Sequence, residues 1–367
     1  MQTAVSARNP WLDLVRATAI LLVLVAHGRA FLLETLPWAA TLKVGGFLGV
    51  ELFFVLSGFL IGGLLLQLSA DLSMPALRVF LMRRWLRTLP NYYLFLVLNL
   101  GLALTLLGPV DLSDVALYVV FAQNLFSAHP GFFPEAWSLS VEEVFYLGFP
   151  LLGLLCAALL RCPATRVLWW LGVAVLALST LGRFWVAAEP GVSWDADIRK
   201  VVWLRLDALM LGVLAAFYRG VGGQLLEQTW LRLLLLLLLA GSGLYAWSAT
   251  HAELDASYFA KTLLFNTTSL GCLGLVLVGL RWRLPAGLAA PAGFFARISF
   301  SCYLVNLPVL ALLGRFAGHL APLQQLGLFF GLTIGASWLV YRFWELRFLR
   351  LRERHSAAPA PVAAAAP

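Results

Sequence analysis

The chain contains long stretches that are nearly free of charged residues over the length of a membrane-crossing helix. The clearest are residues 231–244 and 263–280. An α-helix needs about 20 mostly apolar residues to cross the hydrocarbon core of a bilayer. Because 61% of the residues are hydrophobic and only 12% are charged, a soluble domain could not keep so much apolar surface away from water. The sequence therefore predicts an all-α fold, a polytopic bundle of helices in contact with the lipid bilayer.

Ten apolar segments are candidates for crossing, at residues 11–33, 45–68, 89–108, 143–160, 167–188, 199–218, 230–249, 259–280, 294–314 and 322–344. An eleventh, 114–126, is short and interrupted by Gln123 and Asn124. If it crossed, Arg161 and Arg166 would lie outside, whereas basic loops are retained in the cytoplasm. We therefore predict about ten transmembrane helices, both termini cytoplasmic, and 114–126 as a re-entrant or surface helix.

The same patterning predicts the domain organisation. Residues 1–10 form a cytoplasmic N-terminus, 11–350 a membrane domain, and 351–367 a disordered, Ala/Pro-rich cytoplasmic tail. The net charge of +8 is explained by cytoplasmic loops, so no nucleic-acid partner is expected. The four cysteines form no C-x-x-C pair, so neither a disulfide framework nor a metal site is expected.

Ionisable residues inside the apolar segments are the main candidates for function, because each costs about 2.5–3.5 kcal/mol on insertion scales. The first segment carries Asp13, Arg16 and His27. Arg16 and His27 are eleven residues apart, which places them on one helix face to within about 20° and about 16 Å apart along the axis. This stripe fits a functional site, or a structural ion pair with a histidine bonded to a backbone carbonyl.

Two further segments carry candidates with a plain structural alternative. Ser57 and Gly58 lie in the middle of the second segment, where a small pair favours close helix packing. Arg84 and Arg87 are one helical turn apart at the cytoplasmic start of the third. Two guanidinium groups on one face suit a phosphate or pyrophosphate, although basic residues are also ordinary at a cytoplasmic helix end.

The stretch from Trp137 to Tyr146 places Glu142 where a helix enters the membrane, followed directly by Glu143. Glu142 is a candidate partner for the His27 imidazole, because a carboxylate on one ring nitrogen fixes the tautomer and raises the basicity of the other. Arg205 and Asp207 are two residues apart in the 199–218 segment, so in a helix they would not face each other. Each is expected to find partners on other helices.

Taken together and in this order, these stretches resemble the acyltransferase-3 family of integral membrane O-acyltransferases. The resemblance is carried by the R-x10-H pattern from Arg16 to His27, the run 53–61, Arg84-x-x-Arg87 with Pro90, the stretch 137–147, and Arg205-Leu-Asp207 with Gly212. Two positions depart from the family pattern. Asn306 stands where members often have a histidine and cannot act as a general base, and Glu345 lacks the proline usual two residues later.

The resemblance implies an O-acyltransferase of the bacterial inner membrane. It would move an acetyl or short acyl group from cytoplasmic acyl-CoA to a hydroxyl of a cell-surface carbohydrate or glycolipid precursor, such as lipopolysaccharide or exopolysaccharide. Acetyl-CoA would be the donor substrate, with no permanently bound cofactor. His27 would act as general base or acyl relay, with Glu142 as its partner. Acyl-CoA would contact Arg16, Arg84 and Arg87. Supporting residues would be Asp13, Ser57, Trp137, Glu143, Tyr146, Arg205, Asp207 and Tyr303.

The same ionisable residues are compatible with another class of protein. Intramembrane Asp, Arg, His and Glu side chains also mark proton relays and ion paths, so a proton-coupled transporter or flippase of an envelope precursor is the alternative. Interrupted helices at matching places in two halves would favour it, and the sequence has no such pair. A non-catalytic envelope protein would leave these residues without a function.

Overall fold

The computed structural model describes residues 9–107 and 112–354. Within them fourteen α-helices follow one another, and there is no β-strand. The helices are α1 (Pro10–Gly28), α2 (Lys43–Leu68), α3 (Met74–Leu102), α4 (Leu112–Val119), α5 (Ala136–Leu160), α6 (Ala164–Val186), α7 (Asp207–Gly220), α8 (Thr229–Ser248), α9 (His251–Ala256), α10 (Tyr258–Lys261), α11 (Leu263–Val278), α12 (Ala286–Phe316), α13 (Pro322–Val340) and α14 (Leu346–Arg354).

Eight of the described helices are long and apolar enough to cross a membrane: α1, α2, α3, α5, α6, α8, α12 and α13, several of them extended by short 3-10 or π turns. Helix α11 is a shorter apolar helix, and α7 has 14 residues. The predicted all-α membrane bundle is confirmed. The count of ten crossings and the cytoplasmic position of both termini stay predictions.

Three long helices begin earlier in the sequence than the apolar segments suggested. Helix α3 begins at Met74 rather than at residue 89, with the Ser73 hydroxyl accepting a hydrogen bond from the Ala76 amide. Helix α5 begins at Ala136 rather than at 143, and α12 begins at Ala286 rather than at 294. Polar residues hid the first turns of α3 and α5 from a hydropathy pattern, and Arg84, Arg87 and Ser138 among them line the site described below. The first turns of α12 consist of small residues with Leu288 and Pro291.

The predicted segment 199–218 is not one helix. A π turn at Trp194–Arg199 and a 3-10 turn at Val202–Leu204 precede α7, which begins only at Asp207. The backbone leaves the helical pattern to bond to its neighbours: the Val202 amide donates to the Asn124 carbonyl over 2.9 Å. The short segment 114–126 overlaps α4, which has only eight residues, too few to cross.

The two terminal segments are only partly described. Asn9 caps α1, its side chain accepting a hydrogen bond from the Trp11 amide over 2.9 Å. Residues 351–354, predicted to be disordered, belong to helix α14 instead, because its apolar and arginine residues continue the helical pattern. The rest of the predicted tail, 355–367, and residues 1–8 lie outside the described residues.

Helix α2 lies at the centre of the bundle and packs against α1, α7 and α11. Its contact with α7 is close enough to exclude side chains. A Cβ atom at Gly58 would lie 2.0 Å from the Leu209 carbonyl oxygen, and one at Gly212 would lie 2.3 Å from that of Val55. The small residue at position 58 therefore serves packing. Helix α1 packs against both α2 and α12, and this brings the far end of α1 beside α12.

Candidate active site

An open cavity of about 760 Å³ lies among α1, α2, α3, α5 and α12. We call it the arginine cavity, because Arg16, Arg84 and Arg87 line it. Ser57, Glu142, Tyr146 and Tyr303 also line it. The structure thus brings together seven of the residues singled out in the sequence, from five different helices.

The three arginines make the arginine cavity strongly cationic. The Arg84 guanidinium lies over the Tyr146 ring, 4.4 Å from its centroid. An Arg16 nitrogen lies 3.8 Å from a carboxylate oxygen of Asp13, which is the neighbour predicted from their spacing. A cavity with three guanidinium groups fits a ligand that carries phosphates, since arginine binds phosphate through paired hydrogen bonds.

The carboxylate of Glu142 is held by two hydroxyl groups. Ser57 donates to one of its oxygens over 3.0 Å, and Tyr146 donates to the other over 2.8 Å. The next residue, Glu143, accepts a hydrogen bond of 2.7 Å from Thr88. These bonds tie α5 to α2 and α3, so Glu142 contributes to the shape of the arginine cavity.

His27 lies in a second cavity, of about 630 Å³, at the opposite end of α1 from Arg16. We call this the histidine cavity. The Nδ1 atom of His27 is hydrogen-bonded to the side-chain oxygen of Asn306. The Asn306 amide nitrogen donates to the carbonyls of Cys302 and Tyr303, over 3.0 and 2.7 Å. Because both amide protons are used there, the Asn306 oxygen must accept, so Nδ1 carries the ring proton and Nε2 is left as the basic nitrogen.

The partner predicted for His27 is therefore corrected. Asn306 holds the imidazole, although it was excluded as a catalytic residue because it cannot act as a base. Glu142 accepts hydrogen bonds from Ser57 and Tyr146 instead. The physical reason is position: His27 lies at the end of α1 that packs on α12, while Glu142 faces α2 from α5. An asparagine orients the ring as a carboxylate would, without bringing a negative charge.

One turn of α12 and the side chain of Trp137 each contact residues of both cavities. On α12, Tyr303 lines the arginine cavity, and Asn306 contacts His27 one turn further along. The Trp137 ring lies edge-on to Phe54, with 5.9 Å between the two ring centroids. The Arg199 guanidinium carbon lies 5.0 Å from the centroid of the same Trp137 ring. Phe54 lines the arginine cavity and Arg199 lines the histidine cavity, so Trp137 connects the linings of the two.

The hydroxyl of Tyr303 is held in place by two hydrogen-bonding partners on or next to α5. It shares a hydrogen bond of 2.6 Å with the Ser138 hydroxyl and lies 3.2 Å from the Glu135 carbonyl oxygen. Both tyrosine and serine line the arginine cavity. This fixes α12 against the first turn of α5 next to the turn that carries Asn306.

Arg205 and Asp207 do not line either cavity but belong to a buried charge network. Arg205 donates to Glu51 of α2 over 2.5 Å, and Asp207 lies 2.8 Å from Arg183 of α6. Partners on other helices were expected. Arg205 and Asp207 also lie 3.5 Å from each other, contrary to the prediction, because Arg205 precedes α7 with φ −124° and does not follow helical rotation.

Three cationic residues of the histidine cavity, Arg29, Lys43 and Arg199, were not among the candidates predicted from the sequence. Their position in the predicted topology could have identified them. All three lie on the outer side of the membrane there, where basic residues are disfavoured. Within the part of the chain that the structure describes, no group of three or more His, Cys, Asp or Glu side chains is placed to hold a metal ion.

The profile of a family described as "Acyltransferase domain", Acyl_transf_3, matches residues 9–342. The chain therefore belongs to this acyltransferase family, and the resemblance noted in the sequence is confirmed. The match includes every residue of both cavities.

Curated relatives carry O-acetyltransferase names. A Staphylococcus aureus (strain COL) protein named "Putative O-acetyltransferase" is 31% identical over 227 residues, which are 57% of this chain and 34% of the relative. The "Peptidoglycan O-acetyltransferase OatA" of Listeria monocytogenes is 30% identical over 155 residues, 38% of this chain and 23% of the relative. The aligned regions thus span about a third or less of these relatives' length. No solved structure matches the chain.

Proposed function

We propose that the chain is a membrane-embedded O-acyltransferase. It would move an acetyl or short acyl group from cytoplasmic acyl-CoA to a hydroxyl of a cell-surface carbohydrate or glycolipid precursor, in a bacterial inner membrane. The observation that carries the proposal is that one turn of α12 contacts two cavities: Tyr303 lines the cavity with three arginines, and Asn306 fixes the tautomer of the histidine that lines the other. Family membership and the names of the relatives support the acyl-transfer chemistry.

The donor is assigned to the arginine cavity. Acyl-CoA carries phosphates on a long flexible molecule, and Arg16, Arg84 and Arg87 offer three guanidinium groups to them. In the predicted topology this cavity lies towards the cytoplasm, where acyl-CoA is made. The thioester end would then extend along α12 towards the side chains of Trp137 and Phe54.

His27 is assigned the proton transfer. With the Nδ1 proton held by Asn306, the Nε2 lone pair is free to accept a proton from an acceptor hydroxyl. The hydroxyl oxygen would attack the thioester carbonyl carbon, forming the ester C–O bond as the C–S bond breaks. The thiolate of CoA leaves with the electron pair of that bond and takes the proton from the imidazolium, which restores neutral His27.

A covalent relay through the same nitrogen is the second route. Nε2 would attack the thioester carbonyl, forming a C–N bond as CoA thiolate leaves. The oxygen of the acceptor hydroxyl would then attack the acyl group on the imidazole, forming the ester as the C–N bond breaks. The proton of that hydroxyl goes to the CoA thiolate or to solvent. Both routes require the Nε2 lone pair, so both predict the same loss when His27 is replaced.

The remaining predicted residues have positioning roles in this proposal. Glu142 with Ser57 and Tyr146 holds α5 against α2, and Tyr303 with Ser138 holds α12 against α5. Glu143 is tied to Thr88 one turn from Arg84, and Asp13 lies beside Arg16. Arg205 and Asp207 stabilise the bundle through their buried network.

The test is acyl transfer by the purified protein in liposomes, with radiolabelled acetyl-CoA on the side of Arg84 and carbohydrate acceptors on the other. The proposal predicts label in an acetyl ester of the acceptor, with equimolar release of CoA. Movement of an unmodified acceptor across the membrane, with no ester formed and acetyl-CoA left intact, would support the transporter instead.

A further inference from the structure

The histidine cavity carries an excess of positive charge. Arg29 begins the turn after α1, Lys43 begins α2, and Arg199 ends the π turn before α7. All three line the cavity with His27, and the one carboxylate in its lining is Asp195. The three cations come from three separate parts of the chain, so their meeting is a property of the fold.

The single carboxylate is already engaged by two cations. One oxygen of Asp195 lies 2.5 Å from Arg199 and the other lies 2.6 Å from Lys200. Burial opposes the ionisation of Asp195, but the two neighbouring cations prevail and lower its pKa to about 2. Asp195 is therefore ionised, and its charge balances those of Arg199 and Lys200.

Arg29 and Lys43 are less well compensated, since the one acid that acts on Lys43, Glu253, does so from beyond ion-pair distance. Among residues 9–107 and 112–354, no carboxylate lies within ion-pair distance of either side chain. Their hydrogen bonds go to neutral carbonyls: Arg29 donates to Ala26 and Lys43 to Ala249, each over 2.6 Å. The acids of the neighbouring turns bond elsewhere, Glu253 to Thr250 and Asp255 to Ser193 and Trp194.

Buried donors in the lining also lack partners. The Nε atoms of Arg29 and Arg199 and the indole Nε1 of Trp194 are buried without a hydrogen-bond partner. All three are donors, and all three residues line the histidine cavity. Buried donors are normally satisfied, so the cavity fits an occupant with several oxygen acceptors, and the excess of positive charge in its lining favours one that is negatively charged.

We propose that the histidine cavity is the acceptor site, and that it selects an acceptor with an anionic group, a carboxylate or a phosphate, close to the hydroxyl that is acylated. Arg29 and Lys43 hold the anion, and this fixes the neighbouring hydroxyl near His27. The assignment of the hydroxyl to His27 rests on the proposed acyl transfer, whereas the binding of the anion does not.

Two kinds of acceptor present this chemistry, and binding measurements without acyl donor separate them. The full chain in lipid nanodiscs is titrated with a disaccharide that contains a uronic acid and with its neutral counterpart. It is then titrated with a sugar linked through diphosphate to a polyprenyl lipid and with the same sugar on a neutral alkyl chain. We expect the anionic member of at least one pair to bind tighter by about tenfold or more, with the advantage falling at high salt.

Matched variants assign that advantage to the cavity. Lys43→Met removes the charge but keeps the stem and should abolish the preference for the anion, whereas Lys43→Arg should keep it. Arg315→Ala removes an exposed arginine at the end of α12, outside the cavity lining, and should change nothing. Thermal stabilisation of each variant by acyl-CoA checks its folding.

Equal binding of anionic and neutral acceptors would overturn the proposal, and so would an anionic preference that survives in Lys43→Met. Failure of the proposed function has a different signature. If the anionic acceptor binds through Lys43 but no ester forms with acetyl-CoA, the acceptor site stands and acyl transfer fails. If neutral acceptors are acylated as well as anionic ones, acyl transfer stands and the selection fails.

Discussion

His27 and Asn306 are joined side chain to side chain across the contact between α1 and α12, although 279 positions separate them in the sequence. Asn306 donates both of its amide protons to carbonyl oxygens of its own helix, so its side-chain oxygen is the acceptor of the bond to His27. The tautomer of His27 is thereby set by a residue that has no acid or base chemistry of its own.

Replacement of this asparagine should weaken catalysis without weakening donor binding. In Asn306→Ala the imidazole loses its orientation and its fixed tautomer, so we expect kcat to fall by about 10- to 100-fold. The KM for acyl-CoA should stay within a factor of two or so of wild type, because the arginine cavity is untouched. The control is Asn99→Ala, a buried asparagine of α3 that donates to its own helix. An equal loss in both variants would mean that Asn306 has only a structural role.

Removal of the two neighbouring arginines should weaken acyl-CoA binding. In Arg84→Ala/Arg87→Ala two charged contacts to phosphate are lost, and we expect Kd to rise by about a hundredfold. The measurement is the thermal stabilisation of purified protein by acetyl-CoA, which grows with ligand concentration over Kd. Arg83→Ala is the matched control, because Arg83 is exposed on the same helix and does not line the cavity. Stabilisation retained by the double variant would place the donor elsewhere.

The close approach of α2 and α7 predicts a strong position effect among glycines of one helix. Gly58→Ala would place a Cβ atom 2.0 Å from the Leu209 carbonyl oxygen, and we expect a loss of about 1–3 kcal/mol of stability. Gly63→Ala faces open space, so it should be neutral or stabilise the helix by up to about 1 kcal/mol. Thermal unfolding in detergent measures both, and similar melting temperatures for the two variants would contradict the packing.

The buried pair of Arg205 and Glu51 predicts that loss of one charge is worse than loss of both. Glu51→Leu leaves the buried Arg205 guanidinium without its 2.5 Å partner and should cost about 3–5 kcal/mol. Glu51→Leu/Arg205→Met removes both charges and should recover part of that loss. Fluorescence-detected thermal unfolding of the two variants would reveal the order. A double variant less stable than Glu51→Leu would show that Arg205 has another essential contact.

The pKa of Asp195 predicts how its contribution to stability depends on pH. Its pKa lies near 2 in the folded chain, below the value of about 3.9 expected when unfolded. A depressed pKa means that the contribution is complete above the unfolded value and is lost as the pH falls towards 2. Asp195→Asn should therefore lower the melting temperature by the same amount at pH 5 and at pH 8. A difference that grows between those two values would mean that Asp195 titrates in that range.

Most of the fold could be predicted from the apolar segments of the sequence, because hydropathy and helix length are local properties. Helical periodicity likewise predicts a shared helix face for Arg16 and His27, which line two different cavities. The hydrogen-bond partner of His27 was not, since α1 and α12 meet only in three dimensions. A carboxylate at a favourable spacing, Glu142, was the reasonable choice, yet Ser57 and Tyr146 bind it.

The segment 199–218 illustrates a second limit. Its hydropathy predicts one helix, but Arg183 donates to the Leu204 carbonyl over 2.5 Å and pairs with Asp207. These long-range bonds hold the chain in short turns before α7. The outer cations Arg29 and Lys43 were readable as departures from the charge rule for membrane loops, but their meeting in one cavity depends on the fold.

The most direct test of the account compares His27→Ala with His319→Ala, which removes an exposed histidine in the turn between α12 and α13. Acetyl-CoA stabilisation and acetyl transfer to a carbohydrate acceptor are measured on the same purified samples. We predict that His27→Ala is stabilised by acetyl-CoA like wild type and forms no ester above background, while His319→Ala retains both properties. Near-normal transfer by a well-folded His27→Ala would contradict the role of His27 as base or acyl carrier.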